Sequence, residues 1–312
     1  MQNEFQRTIS KPITFSGVGL HSGEISKITI FPAKENDGIV FKRIDLKENN
    51  LIEASYKNVS SAKLCTTLEN SHGIKVSTVE HLLAAFYIAG IDNALVEIDR
   101  EEIPIMDGSA KNFLDDFKNI EINYLTAKRK YLKVTDKIEL KDGKKTISIE
   151  PNQSSFEVDF QLDYENKIIG NQRNNINFLT DELNDVSSSR TFCLYQDIEK
   201  IKKAGLAKGG SLDNAVVVDN DKVLNEGGLR NEKEFVNHKI LDLAGDFLLS
   251  GFRILGKVTC YQGGHELSNM FLRKLMKSKE FYRVTQIKED KNTFDNKKNI
   301  ELNSHHKMAI NA

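Results

Sequence analysis

Within a stretch rich in leucine and isoleucine, residues 237–246 read NHKILDLAGD and set His238, Asp242 and Asp246 four positions apart. On an α-helix that spacing puts all three within an arc of about 80°, with successive Cβ atoms roughly 5–6 Å apart. An imidazole and a carboxylate at that separation can hold one metal ion between them. Ile240, Leu241, Ala244, Phe247 and Leu248 fall on nearly the opposite face. The polar stripe has two readings: a face turned to water, or one turned to a second buried surface or a cleft. Phe235 and Leu249 lie in line with it at either end and favour the second, since a water-facing surface has little use for them.

Two ligands make half a site. A third is on offer in STVEHLLAAF, where His81 opens another apolar helix and Glu80 stands beside it. Two imidazoles and a carboxylate with a second carboxylate alongside are the parts of metal-assisted hydrolysis, in which the ion acidifies a water and the free carboxylate takes its proton. Blander readings stand next to this one. Ser77 and Glu80 form an S-x-x-E pattern that could simply cap the helix, and His81 could be a core histidine. Cys65, Cys193 and Cys260, odd in number and widely spaced, match neither a disulfide framework nor a CxxC metal site.

These residues need elements to hold them. The helix carrying the stripe is expected from a cap near Asn231 to a stop at Gly251, and STVEHLLAAFYIAG reads as a helix followed by the strand NALVEID. SKITIFP and GIVFKRID read as earlier strands. Near Leu125–Lys130 the apolar pattern lapses into LTAKRK, and new strands then appear around an Asp-Gly turn in KYLKVTDKIELKDGKKTISIEP. A domain boundary is placed there, giving 1–126 and 127–287. The second part repeats the first in outline: strands, a helix bearing a histidine, and the closing strand RILGKVTCYQ. Residues of about 190–224 read as an insertion of loop, amphipathic helix, glycine-rich loop and strand hairpin, and 288–312 as a polar tail. The fold class is α+β.

Lysine plus arginine (44) nearly balances aspartate plus glutamate (45), so no overall field argues for a nucleic acid polymer or an anionic membrane. The chain has no apolar run long enough for a membrane span, and MQNEFQRTIS lacks the apolar core of a signal peptide. A cytoplasmic protein is expected.

The segments GVGLHSGE (17–24), STVEHLLAAFYIAGIDNALVEID (77–99), EIPIMDGSA (102–110), SRTF (189–192), KGGSLDNAVVVD (208–219), FVNHKILDLAGD (235–246) and GGH (263–265) resemble, in order, those of the bacterial UDP-3-O-acyl-N-acetylglucosamine deacetylases. The resemblance runs from about residue 4 to about residue 287. It implies a zinc amidase that removes acetate from an acylated UDP-sugar, the committed step towards lipid A. It also implies two similar β-α-α-β domains in a layered sandwich, the second bearing a β-α-β insertion. Carried over by position, it makes His81, His238 and Asp242 the ligands of one zinc ion per chain, Glu80 the general base and His265 the general acid or cationic oxyanion partner. Asp246 then orients His265, Thr191 donates a hydroxyl to the oxyanion, and Lys239 lies near the nucleotide diphosphate. The insertion, with Ile198, Gly210 and Leu212, corresponds to a passage for the fatty acyl chain. Partners reduce to the acylated UDP-N-acetylglucosamine substrate, and the chain is expected to be a monomer. His21 receives no chemistry and reads as structural; Cys65 reads as a buried thiol.

Two rivals were weighed. A non-catalytic module sensing a metal or a nucleotide sugar needs the ligands but not Glu80, Thr191 and His265 together. A metallopeptidase is disfavoured by the absence of HExxH.

Overall fold

The computed structural model describes residues 3–286; the expected polar tail 288–312 lies outside them. Six α-helices, α1 (Glu80–Ala89), α2 (Lys111–Lys118), α3 (Asn184–Ser188), α4 (Tyr195–Lys203), α5 (Glu234–Leu248) and α6 (His265–Lys277), are set among five sheets of the described residues. The class is α+β and layered, as the strand and helix patterns imply.

The outline repeat resolves into a shared topology. Ala94–Ile98 runs antiparallel to Ile25–Pro32 and parallel to Ile39–Arg43. Further on, Arg253–Tyr261 runs antiparallel to Lys145–Pro151 and parallel to Phe156–Asp163. Each flanking strand is continued by an antiparallel partner: Ile13–Val18 and Leu51–Glu53 in the first case, Ile138–Asp142 and Asn171–Asn177 in the second. Two hairpins, a helix, a central strand and a helix therefore occur twice, with α1 and α2 in the first round and α5 and α6 in the second. The second sheet also takes Tyr131–Val134 and Tyr282–Thr285, for seven strands against five.

Alternation explains the layering. Along Ile25–Pro32 every second side chain is more deeply buried than its neighbours, so one face of the sheet demands cover. A single apolar cluster runs through both sheets and through α1 and α5. Both helices are buried on nearly all sides, from Glu80 to Tyr87 in the one and from Glu234 to Phe247, save Lys239, in the other. Each is covered on more than one face, and Glu80 and His81 of α1 face Asp242 of α5 across the contact, while Glu234 of α5 turns to Arg190.

The two helices touch at backbone distance. A Cβ built on Gly245 would stand 2.1 Å from the Glu80 carbonyl oxygen and 2.9 Å from its carbon. No side chain fits there. Gly245→Ala is therefore expected to destabilise the protein by roughly 1–3 kcal/mol or more, because α1 or α5 must shift. A thermal unfolding midpoint equal to that of the wild type would show that the helices are not held at this spacing.

The far end of α1 is fixed as firmly. Gly90, at φ 70°, closes the helix by donating to the carbonyls of Phe86 and Tyr87. Arg253 donates to Tyr87 O at 2.6 Å and Ile91 O at 2.9 Å, Arg129 to Gly90 O at 2.7 Å, and Arg7 to Ala89 O at 2.6 Å. Three guanidinium groups thus meet the negative end of the helix dipole. Arg129 and Arg253 also pair with Asp92, at 2.6 and 3.2 Å.

LTAKRK is largely strand: Ile122–Lys128 pairs antiparallel with Phe5–Ile9 and has no fully buried residue, which accounts for its weak apolar pattern. α5 begins at Glu234 and not next to Asn231, whose side-chain oxygen accepts from Asn237 Nδ2 at 3.0 Å. His265, directly after Gly263-Gly264, is the buried first residue of α6. The insertion is a parallel pair, Phe192–Leu194 with Val216–Asp219, joined through α4 and followed by the antiparallel Lys222–Val223.

Candidate metal centre

The cup is built where the first turn of α1 crosses the middle of α5. Thr78 enters α1 at φ 57°, a left-handed conformation unusual for a β-branched residue, with its hydroxyl donating to Glu102 Oε1 at 2.8 Å. Ser77 and Glu80 form no capping box. The Ser77 N–H donates to the Glu101 carbonyl instead, and Glu80 Oε2 accepts from the backbone N–H of Thr66 at 3.0 Å. A local signature has lost to tertiary partners, leaving Glu80 turned towards α5.

His81 Nε2 lies 3.5 Å and His238 Nε2 3.3 Å from Asp242 Oδ1. The three ligand atoms fall within 4.8 Å of one another, all on buried residues. Ligands about 2.0–2.2 Å from a shared ion at tetrahedral angles stand about 3.4 Å apart, so these separations suit one small divalent cation. Two more observations support the fit. Asp242 Oδ1 and His81 Nδ1 are buried with no hydrogen-bond partner among the described residues. His238 Nδ1 lies 3.1 Å from the Ser189 carbonyl and donates to it, which leaves a lone pair on Nε2.

Electrostatics follow from burial and crowding. Burial keeps the His238 ring neutral against the pull of Asp242, pushing it down to about 3. Burial favours a protonated Asp242, but His238, Lys239 and His265 around it hold its carboxyl well below the ordinary range. The Lys239 ammonium, half-buried and sustained by Asp242, donates to Asp242 Oδ2 at 2.9 Å and lies over the Phe192 ring at 5.4 Å. Oδ2 is thereby engaged and Oδ1 is left for the cation.

Acid and base groups stand at the rim. Glu80 is raised above the usual carboxylate range, chiefly by burial. His265 Nε2 lies 3.6 Å from Glu80 Oε1 and 3.7 Å from Asp242 Oδ2, and its Nδ1 meets Asp246 Oδ2 at 2.9 Å. Although burial opposes its charge, Asp246, Asp242 and Glu80 raise this imidazole to about 10. The cup thus sets a buried carboxylate and a buried imidazolium against each other.

Beside it opens a cavity of about 340 Å³, walled mainly by the insertion through Thr191, Ile198, Gly210 and Leu212, and from the first half by Leu20 and Leu64. Thr191 lies on this wall and takes no part in the hydrogen bonds of the cup. His21 also reaches the wall; its Nδ1 accepts from the Ala207 N–H at 3.4 Å, its backbone N–H donates to Glu102 Oε1 at 2.8 Å, and its Nε2 is buried without a hydrogen-bond partner among the described residues. Cys65 is buried, its thiol pushed up to about 12 by burial and by Glu80, and it is not one of the three ligands.

Fold and site together describe a duplicated α+β chain with the parts of a hydrolase, Glu80 and His265 standing beside a buried triad that could hold a metal ion. The chain belongs to the UDP-3-O-acyl N-acetylglycosamine deacetylase family, whose model matches residues 6–277. It is similar to the UDP-3-O-acyl-N-acetylglucosamine deacetylase of Pseudoalteromonas translucida, with 43% identity covering 87% of this chain and 90% of that protein. The enzymes of the same name from Shewanella violacea and Shewanella baltica are each 41% identical, covering 92% of this chain and 94% of theirs.

Sequence reasoning missed Thr66, whose hydroxyl donates to Asp246 Oδ1 at 2.7 Å. It also missed the carbonyl of Ser189 behind His238 and the carboxylate of Glu102 beneath Thr78. None sits in a periodic pattern, so spacing carried no signal for them.

Proposed function

We propose that the protein hydrolyses the N-acetyl group of UDP-3-O-(3-hydroxyacyl)-N-acetylglucosamine, giving UDP-3-O-(3-hydroxyacyl)-glucosamine and acetate, the committed step of lipid A biosynthesis in the cytoplasm. The observation that carries this reading is the convergence of His81, His238 and Asp242 within 4.8 Å, with Glu80 and His265 on its edge. Zinc is the cation proposed, one per chain, because two imidazoles and one carboxylate suit its coordination. When bound, it supplies Lewis acidity that lowers the pKa of water towards about 7 and polarises the acetamide carbonyl.

The chain's own residues do the rest. Glu80 Oε1 takes the proton of the attacking water, burial having raised the carboxyl towards useful basicity. His265 carries a proton on Nε2 and faces the same space, so it stabilises the oxyanion and then protonates the departing amine nitrogen. Without that proton the amide anion is too poor a leaving group. Asp246 holds the ring through Nδ1, at 2.9 Å, and fixes which nitrogen faces the substrate. Thr191 adds a hydroxyl donor to the oxyanion, and Lys239 lies towards the nucleotide diphosphate. The acyl chain occupies the cavity beside Ile198 and Leu212, with Gly210 at its wall. The domains run 1–126 and 127–287, and the working unit is a monomer.

The test is acetate release from the acylated UDP-sugar, with metal analysis of the same sample. About one zinc per chain is expected, lost in His81→Ala, His238→Ala and Asp242→Ala alike, since three protein ligands leave no redundancy. Full occupancy in all three variants would overturn the assignment.

A further inference from the structure

Thr66 belongs to none of the groups that do chemistry, yet it touches two of them. Its backbone N–H donates to Glu80 Oε2 at 3.0 Å and its hydroxyl to Asp246 Oδ1 at 2.7 Å. The other oxygen of Asp246 meets His265 Nδ1 at 2.9 Å, and His265 Nε2 comes back to within 3.6 Å of Glu80 Oε1. Four residues close a ring, two from the first half and two from the second. We infer that Thr66 is a positioning residue: its hydroxyl fixes the plane of Asp246, and through it the direction in which His265 faces Glu80. The inference rests on the roles proposed for Glu80 and His265.

The physical argument concerns one rotation. A carboxylate with a donor on each oxygen has its plane set by both. Asp246 is 4% exposed, so water does not readily replace a missing donor. Without the Thr66 hydroxyl, Oδ1 is a buried acceptor lacking its partner, and the carboxylate turns about Cβ–Cγ to find another. His265, which follows Oδ2, turns with it. Both halves of the chain would keep their shape, because the hydroxyl forms no backbone contact, while Glu80 keeps its bond from the Thr66 N–H whatever side chain is present. Side chain and backbone roles are therefore separable by substitution.

The experiment compares the zinc-loaded full chain with Thr66→Val and Thr66→Ser. Valine is expected to lower kcat about tenfold to a hundredfold, the usual effect of removing a partner behind an active group, with KM, zinc content and unfolding midpoint little changed. Serine, which keeps the hydroxyl, should restore most of the loss. The imidazole N–H resonance of His265 supplies a second readout: it should be alike in wild type and Thr66→Ser and displaced in Thr66→Val. Should valine prevent folding, Thr66→Ala removes the same hydroxyl and is read in the same way. Unchanged kcat with an unchanged His265 resonance in the variant lacking the hydroxyl overturns the inference, as does serine impaired to the same degree as valine. If the wild type releases no acetate but the resonance still follows the hydroxyl, the functional reading falls and the positioning role stands.

Discussion

Glu80→Gln is expected to keep its metal and lose roughly 10² to 10⁴ in turnover, and His265→Ala to do the same, the usual share of a general base or acid. The geometry makes the expectation sharp. Glutamine preserves the acceptor for the Thr66 N–H at 3.0 Å, so the side chain stays in place while losing its basicity. His265 and Glu80 are outside the ligand triad, so the ion should remain in both variants. The pH profile separates the two roles. Glu80 must be ionised to accept a proton, and burial raises it, so the acidic limb should lie above the ordinary carboxylate range. His265 must be protonated, and with the ring raised above its ordinary value by Asp246, Asp242 and Glu80, activity should persist through neutrality and fall on the alkaline side. A bound dication shifts both limbs to lower pH without exchanging them. His265→Ala should abolish the basic limb, measured as kcat/KM against pH. Near-normal turnover in Glu80→Gln would return that carboxylate to a structural role.

UDP-N-acetylglucosamine lacking the 3-O-acyl group is expected to be deacetylated at least about a thousandfold less efficiently than the acylated sugar, a difference of about 4 kcal/mol. The cavity beside the cup, about 340 Å³ in volume, is walled by Ile198, Ile201, Leu212 and Val217 among others. Each methylene withdrawn from water contributes about 0.8 kcal/mol, so a chain of about ten carbons exceeds the requirement after ordering costs are subtracted. Efficiency should rise with chain length until the cavity is full and then level off. A kcat/KM series across chain lengths measures this directly; equal efficiency with and without the acyl group would leave the insertion as a cover for the sheet.

The candidate pair on α5 could be read from spacing because its placement is local to one helix. His238 and Asp242 are one turn apart on α5, and burial of both faces of that helix makes the stripe conspicuous. Thr66 could not be read in this way: the residue it serves lies 180 positions away, and KLCTTL has no period to mark one threonine above the other. Ser77 and Glu80 show the opposite error, a local pattern that suggested a cap where the backbone turns to Glu101 instead. Strands were visible as alternating runs, but their order was not. Ala94–Ile98 enters between Ile25–Pro32 and Ile39–Arg43 only after a helix and a small sheet have intervened, and nothing in those runs encodes which edge stays open. The strand Ile122–Lys128 has no clear apolar alternation to mark it, and its pairing depends on Phe5–Ile9 at the other end of the first half.

The absence of a side chain at Gly245 has a consequence for how such a protein can change. With α1 and α5 at backbone contact, the chemistry sits on a seam that tolerates almost no drift. α4, by contrast, has no fully buried residue, and its Tyr195, Ile198, Ile201 and Lys202 line the cavity. With the acyl chain in the cavity, as proposed, substitutions there lengthen or shorten its measuring rod while leaving the reacting groups where they are. Adaptation to a different lipid is thus open to single steps in the insertion, whereas a new reaction would require the two halves to be fitted together afresh.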